Sequence, residues 1–166
     1  NLLLSNTAVE MEFRVENPER GFGRISSELD CRFSLEGLVG LSGDRLLEYV
    51  AVEGASADAL TDRIEECPTV EKYRLVTADD ETCLFEVHSA RSGVSQLVEA
   101  GTVVTSATAE EGVVRCVAEA SSDVNVRSVV EEFRTTYSGA ELVGKQEVDR
   151  PVHTTQEFRQ TLAENL

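Results

Sequence analysis

Four cysteines and two histidines carry the widest chemical reach in this 166-residue chain. A thiol beside an imidazole is the arrangement for nucleophilic catalysis. Several thiols and imidazoles converging on one point would instead hold a metal ion. The spacing supports neither. Cys31, Cys67, Cys83 and Cys116 stand singly, with no C-x-x-C pair. Cys83 and His88 fall on one expected strand, but their odd separation puts them on opposite faces. Cys31, Cys83 and Cys116 take apolar strand positions and Cys67 an apolar helix position, so all four read as small buried hydrophobes. His153 reads as a solvated linker residue. The sequence therefore predicts no catalytic residue, no metal site and no cofactor, although a small-molecule enzyme built on Cys83, Cys116 or His88 stands as the least favoured alternative.

Other constellations are weaker. Gly21-Phe22-Gly23-Arg24 follows an Asn-Pro pair rather than a strand, so it lacks the context of a phosphate-binding G-x-G-x-x-G. Glu65-Glu66, Asp79-Asp80 and Glu131-Glu132 are adjacent acids, most simply solvated charge. Arg14, Arg32, Arg74 and Arg115 lie on polar strand faces. They would grip an anion if they flanked a cleft, but are read first as surface arginines paired with acids.

The elements that would position these groups are legible from periodicity. Val9, Met11, Phe13 and Val15 alternate with polar residues as a half-buried strand. Asn17-Pro18 looks like an N-cap with proline in the first helical position, ahead of a weak face of Phe22, Ile25 and Leu29. Cys31–Leu35 alternates again and ends near Gly37. Leu46–Glu53, apolar on both faces, is expected to be central. Ser56 caps a helix with Ala57, Leu60, Ile64 and Cys67 on one face. Val70–Thr77 and Cys83–Val87 flank an acidic turn, and Val103–Ala109 and Val113–Ala120 flank Glu110-Glu111-Gly112. Ser92 opens a short helix closed by Gly101. Asp123 or Asn125 caps a helix lined by Val126, Val129, Val130, Phe133 and Tyr137. Leu142–Val148 is the last strand, and Arg150-Pro151 leads into a tail helix.

This order predicts an α+β domain over residues 8–150, with mostly antiparallel strands and helices on one face. It divides into two ferredoxin-like β-α-β-β-α-β halves, residues 8–78 and 82–150. Three β-β-α units sharing one longer sheet fit the same periodicity. A tight hairpin at Thr77–Thr82 sits awkwardly with the two-half division, because the opening strand of such a half is central and leaves that hairpin no free edge. Residues 151–166 are expected to form a connector helix. Thr154 and Glu157 have capping-box spacing, and Phe158, Leu162 and Leu166 form an apolar stripe suited to a partner. No helix stop signal follows.

Charge narrows the setting. Thirty-one acidic residues face 15 basic ones, a net charge of −16, and only Lys72 and Lys145 are lysines. Such a surface repels itself until salt screens it, and at about 1 M salt the Debye length is roughly 3 Å. A salt-adapted cytoplasm is the expected home. Direct nucleic-acid binding by this segment is disfavoured for want of a basic patch. No stretch approaches a membrane span, and no secretory signal is legible.

Three segments carry a family likeness. Ile25–Val39 (ISSELDCRFSLEGLV), Leu46–Ser56 (LLEYVAVEGAS) and Phe133–Leu166 (FRTTYSGAELVGKQEVDRPVHTTQEFRQTLAENL) resemble the haloarchaeal bacterio-opsin activator-like transcription regulators. The likeness is to the domain preceding their C-terminal helix-turn-helix. It implies a non-catalytic regulatory domain that relays a ligand or a domain contact through the tail helix to a downstream DNA-binding unit. PAS or GAF sensory domains would lie upstream, and DNA would be touched only through the helix-turn-helix. It supplies no ligand residues. A homodimerisation module, with Phe158, Leu162 and Leu166 as the seam, is the alternative.

Overall fold

A computed structural model describes residues 5–151 of the chain. The connector helix expected over residues 151–166, with Phe158, Leu162 and Leu166, and His153 before it, lies outside the described residues beyond Pro151. The described elements are β1 (Ser5–Glu16), α1 (Phe22–Glu28), β2 (Arg32–Gly40), β3 (Arg45–Glu53), α2 (Ala57–Glu65) and β4 (Val70–Ala78). There follow β5 (Thr82–Ala90), α3 (Gly93–Glu99), β6 (Val103–Glu110), β7 (Val113–Ser121), α4 (Val126–Thr136) and β8 (Glu141–Pro151). No helix among the described residues is long and apolar enough to cross a membrane.

All eight strands form one sheet in the order β4-β5-β3-β2-β6-β7-β1-β8, antiparallel throughout. The fold is thus α+β. The hairpin at Thr77–Thr82 is present, and its geometry explains the earlier difficulty. After the turn, β5 pairs with β4, the edge strand, on one side and with β3 on the other, so the hairpin occupies the place beside β3. β1, in turn, lies far from β3 and β4, between β7 and β8. Each outer group of four strands therefore contains the opening strand of the other segment.

Alternation fixes which face is covered. Met11, Phe13, Cys116, Ala118, Val129, Phe133 and Leu97 form one buried cluster, joining β1 and β7 to α3 and α4. Phe33, Val50, Val52, Phe85, Val87, Ile25, Leu60 and Ile64 form the other, joining β2, β3 and β5 to α1 and α2. The paired residues Phe33, Ala109 and Val114 carry the same face from one cluster to the next. Aromatic contacts pin the helices: Phe22 stacks on Phe33 at 4.8 Å between centroids, and Phe13 meets Phe133 at 4.8 Å. Side-chain caps set three helix starts, Ser56 to Ala59 N–H, Ser92 to Ser95 N–H and Asn125 to Ser128 N–H.

The two clusters meet at a thin seam. β2 and β6 pair through only Arg32–Glu110, Phe33–Ala109 and Ser34–Thr108. Beyond Ser34 a bulge between Leu35 and Gly37 turns β2 away. The chain crosses this seam twice within the helical layer: α1 runs from β1 to β2, and α3 from β5 to β6.

Two expectations are corrected. Asn17-Pro18 is not the start of α1. Asn17 has φ 48° and its N–H donates to Gly112 O at 2.7 Å, so it closes a turn against the β6–β7 loop. The helix starts at Phe22 with Gly21 as N-cap. Pro151 does not open a helix but ends β8. As an edge strand, β8 tolerates a residue without an N–H.

Candidate ligand cavity at the seam

Where β2 and β6 part, the gap is not filled by side chains. A cavity of about 90 Å³ opens there, walled by Phe22 and Gly23 of α1, Gly93 and Val94 of α3, and Tyr137 after α4. Its floor is the sheet, including Phe33, Leu35, Val50, Cys116 and Glu48. Glycine permits the close walls. A Cβ on Gly93 would stand 2.3 Å from Tyr137 Cε2 and 2.9 Å from Phe133 Cε1. A Cβ on Gly23 would stand 2.5 Å from Pro18 Cγ and 2.7 Å from Val114 Cγ2.

Glu48 is the unusual member. Alternation along β3 puts it on the covered face with Leu46, Val50 and Val52, and it is 7% exposed. Its Oε1 accepts a hydrogen bond from Ser89 Oγ at 2.5 Å, diagonally across the β3–β5 ladder. None of the described arginines or lysines forms an ion pair with it. Loss of water raises its pKa above the usual carboxylate value, and the Ser89 hydrogen bond offsets this only in part. Two further titratable groups line the cavity. Burial first, and Glu48 second, push the Cys116 thiol up to about 12. Burial, then Cys116 and Glu48, push the Tyr137 hydroxyl up to about 12. The cavity thus holds an acid in an apolar and aromatic enclosure, the kind of setting that small-molecule sites commonly use.

Of the thiols and imidazoles singled out in the sequence, Cys116 lines the cavity, whereas Cys31, Cys67, Cys83 and His88 do not. The cysteines are buried and free, and Cys83 and His88 occupy opposite faces of β5. Burial raises the thiols of Cys31 and Cys67 to about 11 and raises that of Cys83 as well. Among the described residues, no group of three His, Cys, Asp or Glu side chains is placed to hold a metal ion. The four arginines do not line the cavity. Arg14 pairs with Glu16 at 2.7 Å, Arg32 with Glu110 at 3.6 Å, Arg74 with Glu86 at 2.9 Å and Arg115 with Glu12 at 3.7 Å. Glu86 also accepts from Tyr49 Oη at 3.1 Å. These groups lie on the sheet face opposite the described helices.

Sequence reasoning missed Glu48 and Ser89. The signal was present: Glu48 is the one charge inside the otherwise apolar run Leu46–Val52.

Comparison with known proteins agrees with the family likeness. Residues 6–160 match the family profile "BAT: GAF and HTH_10 associated domain". A Haloferax volcanii protein, provisionally named a transcriptional regulator, is 32% identical over 167 residues. The alignment covers 99% of this chain and 28% of that relative's length.

Proposed function

Because the chain belongs to the BAT family, the GAF and HTH_10 associated domain, we propose that it is the non-catalytic, signal-receiving domain of a haloarchaeal, bacterio-opsin activator-like transcription regulator. Its work is to pass a ligand or domain contact to a helix-turn-helix on the same polypeptide, in a salt-rich cytoplasm. DNA is touched through that unit, not through this acidic domain. The segment beyond β8, with the stripe of Phe158, Leu162 and Leu166, is the proposed connector.

One observation carries the reading. The cavity lies on the seam, between the two helices by which the chain crosses it. An occupant that fits one spacing of α1 and α3 better than another would bias the angle between the two parts of the sheet. β8, from which the connector leaves, is paired along β1, and β1 feeds α1. The relay therefore needs no moving part beyond the seam. We read the two parts as ferredoxin-like units that have exchanged their opening strands, which makes each crossover helix a link between units.

The test uses a polypeptide in which this domain precedes its helix-turn-helix, compared with the helix-turn-helix alone in 2 M KCl. Coupling between sites commonly amounts to about 5–150-fold in affinity. A change of at least about fivefold in DNA affinity between the two, or on filling the cavity with Val94→Phe, supports the relay. Identical affinities in all three would refute it.

A further inference from the structure

We propose that the seam cavity is a binding site for a small primary ammonium ion, with Glu48 as its counter-charge. The proposal deepens the signal-receiving reading by naming the class of signal. A buried carboxyl costs free energy unless something compensates it. Glu48 has one hydrogen bond, from Ser89, and no described basic partner, although Leu46, Val50 and Val52 on the same face show what the position would otherwise carry. A retained acid in an enclosure of this kind marks a site.

The walls select the class. An anion is disfavoured by the carboxyl, and among the described residues no basic side chain lines the cavity. A divalent metal would need further acidic or imidazole ligands, and among the described residues none is grouped with Glu48. An apolar guest would leave the acid uncompensated. An alkylammonium meets both demands: its head pairs with the carboxylate, and its short chain lies against Phe22, Phe33, Val94 and Tyr137. Aromatic rings also attract such a head. Size sets the limit. A cavity of 150 Å³ admits benzene, so about 90 Å³ admits roughly four non-hydrogen atoms. Propylammonium has that size.

The test is an amide-resolved NMR titration of this chain with propylammonium chloride in 2 M KCl, with propan-1-ol as the neutral isostere. Saturable shifts at Glu48, Ser89 and Val94 are expected, weakened at least about tenfold in Glu48→Gln and abolished in Val94→Phe, which fills the space but keeps the acid. Dispersed spectra of both variants verify their folding. Val94→Phe acts independently of Glu48→Gln, so loss of fold in one leaves the other to decide. Equal binding of propan-1-ol to the wild type and to Glu48→Gln would overturn the proposal in favour of a plain apolar cavity. Saturation of the same amides by KCl alone, titrated from low salt, would overturn it in favour of an inorganic cation. Either result leaves the DNA-affinity measurement free to uphold the relay, and a failed relay leaves the ammonium site standing.

Discussion

Replacing Gly93 by alanine tests whether α3 is held against α4 as closely as the cavity requires. The new Cβ would lie 2.3 Å from Tyr137 Cε2, 2.9 Å from Phe133 Cε1 and 3.0 Å from Tyr137 Cδ2. Carbon atoms settle at about 3.5–4.0 Å, so the nearest pair must separate by about 1.2 Å. Neither ring is the loose end of a flexible chain. Phe133 is buried against Phe13, and Tyr137 packs on Phe133 with centroids 5.4 Å apart. Overpacking of this kind costs about 1–3 kcal/mol. Alanine recovers up to about 1 kcal/mol of helix propensity over glycine, and less at the first helical residue, where Gly93 stands. The net loss is about 1–2 kcal/mol. At roughly 2–4 °C per kcal/mol for a chain of this size, Tm should fall by about 2–8 °C. Gly139→Ala is the control, since no atom lies within 4 Å of its added Cβ; it should leave Tm within about 1 °C. Calorimetry in 2 M KCl reads both. If Gly93→Ala melts at or above the wild type, the tight α3–α4 joint is wrong, and the cavity wall with it.

Three further outcomes follow from the same packing. Because the Glu48 pKa is raised in the fold, its contribution is fully present below the unfolded value and is lost as pH rises through the folded one. The Tm difference of Glu48→Gln over the wild type should therefore grow from pH 4 to pH 8, and a constant difference would contradict a desolvated acid. The four buried thiols, with raised pKa values, should react with a disulfide reagent at pH 8 only on global unfolding; fast labelling of any one would show that its burial is not real. Net charge of −16 predicts a higher Tm in 2 M than in 0.1 M KCl, and equal midpoints would count against salt adaptation.

Local structure was legible wherever a single physical signal dominated. The strict alternation Val9–Val15 gave β1, and the spacing Val126–Tyr137 gave the face of α4, because half-burial imposes those periods directly. Ser56 and Ser92 were identifiable as caps, and Asn125 was one of two choices, because few side chains can reach the orphan N–H groups. Contacts from far along the chain defeated the rest. Nothing near Asn17-Pro18 announces that Gly112 will take the Asn17 N–H, or that Gly23 will close on Pro18, so the pair looked like a helix start. β2 was expected to end near Gly37. It continues because, past the bulge, Gly37, Leu38, Val39 and Gly40 go on pairing with Tyr49, Glu48, Leu47 and Leu46 of β3. Strand order was beyond periodicity altogether. An alternating pattern says that a strand has one wet face, not which neighbour it pairs with. Glu48 escaped notice for a related reason: a single acid in an apolar strand gains meaning only when the residues opposite it fail to supply a positive charge.

In the proposed relay, the placement of β1 and β5 in opposite parts of the sheet matters to function as well as to topology. Had each segment folded as its own four-stranded unit, α1 and α3 would have lain within units, and the seam would have been crossed only by a linker. Because β1 and β5 sit in opposite parts, both crossings are structured helices, and both border the cavity. Three ladder pairs join the parts through β2 and β6, whereas β1 and β7 are joined by nine. The sheet is therefore weakest in pairing where its covalent crossings are most concentrated. Backbone pairing would therefore oppose a change in the spacing of α1 and α3 less at the seam than along the β1–β7 ladder. If the proposed relay operates, displacement should appear as rotation of one part against the other, carried outward by β1 to β8 at the sheet's edge, rather than as local loosening around the cavity.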